Sequence, residues 1–297
     1  MKRVSCSSFV RAFALASSLC VSYSAVEAAD PVQPGPDVDA GLNPGSKRPL
    51  WELGLGVAGL RLPDYRGSDQ NRGYVLPLPY IVYRGTWLKA DRDGARALIY
   101  DSRQVKVDVS VAGSTPSRKD NVARQGMPNL PATGEVGPNL NITLASSLKD
   151  RWKLDLRLPL RAAFSVQRSP EFIGATFSPN LNLDIGGVGG GWNLGLLTGP
   201  LFANRKYHEH FYGVDPVYAT ADRPAYQAHG GYAGWQALAA TSRRFGNTWV
   251  GAFLRYDTLR GATFDDSPLV RRHSALTMGF GISWVLATSS ELVSSSD

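Results

Sequence analysis

The chain has 297 residues, 43% of them hydrophobic and 19% charged, with a formal net charge of +7. After residue 28 no stretch approaches about 18 uninterrupted apolar residues, which excludes membrane-spanning helices, and the many Trp, Tyr, Phe, Leu and Val residues exclude intrinsic disorder. The basic excess forms no run of Lys or Arg, whereas nucleic-acid binding concentrates such charge on one face or segment; a basic lumen or an affinity for anionic lipid stays open.

Lys2, Arg3 and Arg11 precede an uncharged stretch from Ala12 to Val26, and Val26-Glu27-Ala28 offers small residues at a cleavage position. That is the layout of a secretory signal peptide over residues 1–28, cut after Ala28. An N-terminal membrane anchor would need roughly 20 apolar residues and a stop-transfer flank. A lipoprotein would need a small residue before its cysteine, and Leu19 precedes Cys20. Removing the signal takes three basic residues and one acidic residue, leaving +5, and takes both cysteines, Cys6 and Cys20. The mature chain then has no disulfide, no thiol catalyst and no cysteine metal site.

Residues 29–50 hold five prolines and no hydrophobic period, as expected of a flexible or extended periplasmic tail. From Trp51 the pattern has a period of two, the alternation of a β-strand. In 152–164, Trp152, Leu154, Leu156, Leu158, Leu160, Ala162 and Phe164 oppose Lys153, Asp155, Arg157, Pro159 and Arg161. Val105, Val107, Val109 and Val111 oppose Lys106, Asp108 and Ser110; segments 139–144 and 180–185 alternate Leu and Ile with Asn, Thr and Asp. A soluble sandwich also alternates. The length of the apolar faces favours transmembrane strands, which need roughly 9–11 residues against about 5–6 for soluble ones. Trp51, Tyr83, Trp87, Tyr100, Trp152, Trp192, Trp249 and Trp284 fall near segment ends, as in aromatic girdles.

About twelve strands follow, near 51–62, 74–84, 86–91, 94–101, 104–113, 135–146, 152–164, 172–185, 190–201, 232–244, 248–258 and 274–287. Ten or fourteen are open, because the strand edges at 86–101 are weak. All but one of the connections after odd strands are long and those after even strands are short, as in a barrel with long outer loops and short periplasmic turns. The fold expected is therefore all-β, a transmembrane antiparallel barrel over 51–287 with a polar tail at 288–297.

Several clusters are too specific for composition to explain: GLGVAGLRLPDYRGSD at 54–69, FYGV at 211–214, AYQAHGG at 225–231 and YDTLRGATFDDSPLV at 256–270. With Leu76-Pro77-Leu78-Pro79-Tyr80 and Tyr83, they resemble the MipA/OmpV family of outer-membrane proteins, from about Trp51 to the last strand. The motif residues are Asp64, Tyr65, Gly67, Ser68, Asp69, Tyr212, Gly213, Tyr226, Asp266, Ser267 and Pro268. The resemblance implies an outer-membrane barrel that touches lipid and acts as a scaffold between a periplasmic lytic transglycosylase and a murein synthase. No cofactor is expected, and the scattered basic charge points to no nucleic-acid partner. A departure from the pattern is the polar tail after Phe280, Ile282 and Trp284, where such barrels end on an aromatic residue.

The motifs fall on outer loops, away from periplasmic partners. As turn-formers they maintain the fold; as a loop folded into the barrel, Asp69, Arg260, Asp265 and Asp266 would narrow the lumen. The rival function is a porin-like channel for small, anionic solutes, with Lys106, Lys153, Asp155, Arg157 and Arg161 on the lumen face. His208 and His210 would share a face in an extended segment, and with His229 or Asp215 could bind a metal; loop polarity without metal is the simpler reading. No His sits by a Gly-x-Ser-x-Gly motif. The run Gly186-Gly187-Val188-Gly189-Gly190-Gly191 lacks the Lys-Ser/Thr ending of a phosphate loop. No enzyme is expected.

Overall fold

The computed structural model describes residues 47–85, 88–91, 94–102, 104–114, 116 and 120–294. The signal segment 1–28, most of the 29–50 tail and Trp87 lie outside the described residues. The strands are β1 (Lys47–Pro49), β2 (Trp51–Pro63), β3 (Asn71–Arg84), β4 (Leu88–Asp91), β5 (Gly94–Asp101), β6 (Val105–Ser114), β7 (Thr133–Ser147) and β8 (Trp152–Ser165). They continue with β9 (Glu171–Phe177), β10 (Asn180–Gly187), β11 (Trp192–Ala203), β12 (Gly231–Phe245), β13 (Thr248–Thr258), β14 (Ser274–Thr288) and β15 (Leu292–Ser294), and one helix of two turns, α1 (Arg205–Tyr212), lies between β11 and β12.

All pairings are antiparallel; from β2 to β14 they join sequence neighbours, except that β8 also pairs with β10 and β9 with β11, and β14 closes on β2 from Met278↔Arg61 to Thr288↔Glu52. The segment expected as one strand, 172–185, is two, because Ser178-Pro179 interrupts it. Both pieces lie between β8 and β11, so they form one stave. Among the described residues the wall is thus a closed ring of twelve antiparallel staves, as the alternation predicts. Its weak part is β4–β5, as the sequence suggests: β4 has four residues and meets β3 at only two positions, Tyr83↔Ala90 and Arg84↔Lys89.

Burial shows which face is which. Along β8, Leu160 is 52% exposed, whereas Asp155 and Arg161 are 3% and 8% exposed. A sandwich buries its apolar face and wets its polar one; the reverse arrangement requires hydrocarbon outside and a protein-filled interior. Aromatic pairs mark both ends of the outer surface, Phe177 on Phe202 toward the long loops and Trp192 on Phe245 toward the short turns.

The interior has two chemistries. From β6 to β10 the inward side chains are polar: Asp108 accepts from Asn139 and Asn141, Asp155 from Thr143, and Asp184 from Asn182. On the other side, Tyr80, Val82, Trp249 and Val285 form one apolar cluster, and Leu197, Leu238 and Ala240 another. At the short-turn end Glu52, 2% exposed, binds both Arg84 and Arg244. A buried carboxylate needs such partners, since desolvation costs several kcal/mol.

The two tails meet. Lys47–Pro49 and Leu292–Ser294 pair with each other as β1 and β15, with Arg48 opposite Val293. The polar tail therefore holds a short ribbon beside the short-turn end, and the ordered part begins before Trp51.

Candidate functional site

The long loops meet over one mouth of the barrel and build a cap whose core continues onto Ala163, Ile173 and Ala233 of the wall. Tyr65 and Leu130 from two loops, Phe211 and Tyr212 from α1, Ala228, and Leu259, Ala262, Phe264 and Val270 from the last long loop are buried together. Phe264 is fully buried, stacked on Tyr212 with ring centroids 3.7 Å apart and edge-on to His208 at 4.5 Å.

The helix explains this convergence. Asn204 caps it by accepting from Tyr207 N at 3.0 Å, and its Oδ1 also accepts from Ala175 N of β9. Tyr207 and Phe211, and His208 and Tyr212, are each four apart and so share one helical face. The helix lies so close to β9 that a Cβ on Gly174 would stand 2.5 Å from Tyr207 N. The expectation of an extended segment at 208–210 fails here: in a helix His208 and His210 diverge. His208 Nδ1 lies 2.6 Å from the His229 carbonyl, a backbone hydrogen bond. Among the described residues no group of three His, Cys, Asp or Glu could hold a metal.

The sequence motifs lock to one another. Tyr65 donates to the Leu269 carbonyl at 2.8 Å, Ser267 to the Tyr212 carbonyl at 2.8 Å, and Tyr212 to the Arg66 carbonyl at 2.9 Å. The Gly67 carbonyl accepts from the amides of Arg271 and Arg272, and Gly67 holds φ +98° against Leu259, a conformation that L side chains rarely adopt. Asp64 accepts from Arg72 at 2.7 Å and from Asn121 at 2.8 Å, and Asn121 also donates to Ser68. Gly213 leaves room for Glu209, whose Oε2 accepts from Ala228 N. Tyr226 donates to Asp266, and Pro268 stands between Ser267 and Leu269.

Asp69, Arg260 and Asp266 are exposed and Asp265 is half-buried, tied to Gly261 N. These four lie in the turns that follow β2 and β13 and are not among the residues lining the cavity below. Lys106, Lys153, Asp155, Arg157 and Arg161 share the inward face of β6 and β8. Lys106 pairs with Asp101 at 3.3 Å, Lys153 with Asp155 at 3.0 Å, and Arg161 donates to Ser110 at 2.9 Å.

Beneath the cap lies a cavity of about 90 Å³. Phe211, Tyr212, Phe264 and His208 form its roof, and Glu135, Arg161, Gln236 and Arg255 its walls. Asp257 anchors the loop above to the wall: it accepts from Arg66 at 3.1 Å and from Arg255 at 2.8 Å, with Asp257 and Arg255 about 5% exposed. Sequence reading missed Arg66, Arg124, Gln236, Arg255 and Asp257. For Gln236, Arg255 and Asp257 the signal was a polar residue at inward parity in an apolar strand. Arg124, which donates to the Phe211 carbonyl at 3.0 Å, left no local signal.

Burial governs the ionisation of the cap. It pushes the Tyr212 phenol up to about 12, with Arg66 opposing and Asp257 adding. It lowers His208 below the usual histidine range, opposed by the His229 carbonyl and reinforced by Arg66, and lowers His210 in the same sense, with Arg124 adding and Glu171 opposing. Both imidazoles are held neutral when folded, while an opened cap takes up protons below about pH 6.5. Folding then loses stability as pH falls through that value. Amide exchange across residues 205–229, corrected for its intrinsic rate, should be faster at pH 5 than at pH 8; equal protection would contradict this.

No curated protein matches the sequence. The fold is similar to a bacterial polysaccharide outer membrane secretin, at 10% identity and TM-score 0.40 over 80% of this chain and 99% of the other. It is also similar to outer membrane phospholipase A from Escherichia coli, at 11% identity and TM-score 0.35 over 86% of this chain and 96% of that one. The model of the family described as MltA-interacting protein MipA matches residues 55–286, nearly the whole barrel. The chain, an outer-membrane β-barrel, belongs to the MipA family.

Proposed function

We propose that this protein is a non-conducting anchor in the outer membrane that holds cell-wall enzymes at its periplasmic face. The observation that carries this reading is the filled interior. Among the described residues, inward side chains on seven of the strands, Glu52, Asp108, Asp155, Asp184, Gln236, Trp249 and Ser283, are at most 5% exposed, and the cap covers the outer mouth. A porin needs a continuous column of water, so the packing favours a scaffold over a channel.

The family's description as MltA-interacting points to a lytic transglycosylase as partner, and a murein synthase completes the assembly in this reading. Long loops face outward in such barrels, so the partner meets the short turns and the β1–β15 ribbon. Export by a signal removed after Ala28 belongs to the same reading, checked by the mass of the mature chain. So does the absence of catalysis: the buried His208 is committed to a backbone carbonyl, and turnover of lipid or peptide lost on changing it would contradict this.

A photocrosslinker at Leu148 or Val188, both exposed on short turns, should capture a periplasmic lytic transglycosylase. The same group at Val217, 80% exposed on the cap, should not. Capture from Val217 alone, or from none of the three, would refute the scaffold.

A further inference from the structure

Among the described residues the wall has a lateral opening. Above Val82 the outer edge of β3, Asn71–Val82, has no strand partner among the described residues, because β4 meets β3 only at Tyr83 and Arg84. Across from it, β5 accompanies β6 only as far as Ala97↔Val109, leaving Ser110–Ser114 paired on one side only. Chain length enforces this. Residues 85–104 must supply two strands and their turns, and at about 3.3 Å per residue they cannot match the height of the 14-residue β3.

An unpaired backbone N–H facing hydrocarbon costs several kcal/mol. Pro77 and Pro79 are two apart on β3, so their nitrogens face the same edge. The β2 register through Val57↔Pro77 and Leu55↔Pro79 is unbroken, which puts those nitrogens on the free edge, where they leave no donor unsatisfied. The same substitution makes the edge a poor template for an added protein strand, which needs those donors. The inner surface beside the opening is apolar, with Leu76 and Leu78 half-buried. The β6 side, Ala112, Gly113 and Ser114, is itself a wall of the cavity beneath the cap.

That cavity holds hydrogen-bonding atoms with nothing to bond. His208 is 0% exposed and Gln236 is 2% exposed. His208 Nε2, Gln236 Nε2 and Arg66 Nη2 have no partner among the described residues. Since His208 Nδ1 donates to the His229 carbonyl, its Nε2 is an acceptor, whereas Gln236 and Arg66 offer donors. Buried groups of this kind are costly unless satisfied, and an alcohol both donates and accepts. Arg66 is already paired with Asp257, which favours an uncharged group over a phosphate, and Tyr65, Tyr212 and Phe264 supply flat apolar surface.

We propose that this cavity takes the hydroxylated, uncharged head of a single-chain amphiphile, whose hydrocarbon chain passes sideways between β3 and β6 into the bilayer. The protein, folded in a zwitterionic detergent without hydroxyl groups, is titrated with a medium-chain monoacylglycerol and observed by native mass spectrometry. A saturable one-to-one adduct is expected. Gln236→Leu should weaken it roughly tenfold, one hydrogen bond's worth. Ala112→Trp, which fills the cavity from the β6 side without touching the aromatic core, should abolish it. Glycerol and the methyl ester of the same chain should both bind at least roughly tenfold more weakly. The proposal is overturned if no adduct saturates or if both variants bind as the parent does. Glycerol binding as tightly would make this a site for soluble solutes. Equal binding of the methyl ester would mean adhesion to the outer wall.

Discussion

Truncating Phe264 to alanine should release the cap while leaving the barrel wall in place. The ring is fully buried and touches Tyr212 face to face and His208 edge-on, so its loss removes both the transfer free energy and the packing around it. Phe→Ala in such a site costs about 3–5 kcal/mol. The cap has one small core, which also includes Tyr65, Phe211 and Leu259, and loss on that scale is enough to open it. The wall stands on a separate ladder of strand pairs and keeps its β-sheet circular dichroism. Hydrogen exchange should show residues 205–229 and 259–270 losing protection together, with β7, β8 and β13 unchanged. Val217→Ala, on the exposed surface of the same cap, should change stability by less than about 0.5 kcal/mol. Retained protection at 205–229 in Phe264→Ala would show that the loops do not share one core.

Asp257→Ala should be the most damaging change on the inward face. Its carboxylate serves two guanidiniums, Arg255 beside it on β13 and Arg66 on the loop after β2. Removing one member of a buried ion pair typically costs about 3–5 kcal/mol, because the remaining charge has lost its compensation. Arg66 also positions Tyr212 through its carbonyl, so the loss spreads into the cap. Urea unfolding in lipid vesicles should show a clear fall in midpoint for Asp257→Ala and a smaller one for Asp257→Asn, which keeps an acceptor. Equal midpoints for Asp257→Ala and the parent would mean that this triad contributes nothing to docking the loop.

The parts of the fold readable from sequence were those where the two faces differ. Segment 152–164 alternates cleanly because lipid demands Leu outside and the polar half of the interior takes Asp155 and Arg161. Along β3 and β11 both faces are apolar, with Leu76 and Leu197 inward and Val75 and Leu196 outward, so an apolar run locates those strands without orienting them. The break at Ser178-Pro179 left no mark in hydrophobicity, since the stave continues past it. Residues 86–101 read weakly because the strands there are short, and that shortness is what opens the wall.

The cap was legible only in fragments. The clusters at 64–69 and 265–268 looked like turns, and turns they are, but their purpose is contact between loops as far apart as Tyr65 and Leu269. No local pattern encodes such a contact. The short helix 205–212 carries its signal in Asn204 and in the spacing of Tyr207 with Phe211, over too few residues to stand out from a polar loop. Buried polar groups such as His208 and Gln236 become visible as a site only when the loops fold down over them.

The proposed anchoring role requires a barrel whose interior is occupied. Single-channel recording of the purified, refolded protein in a planar bilayer tests that claim directly. A folded, inserted barrel should give no steady current steps, and Arg157→Ala and Arg161→Ala should leave it silent. Regular ion-selective steps from the parent protein, shifted in preference by either substitution, would contradict the filled lumen and make the protein a channel.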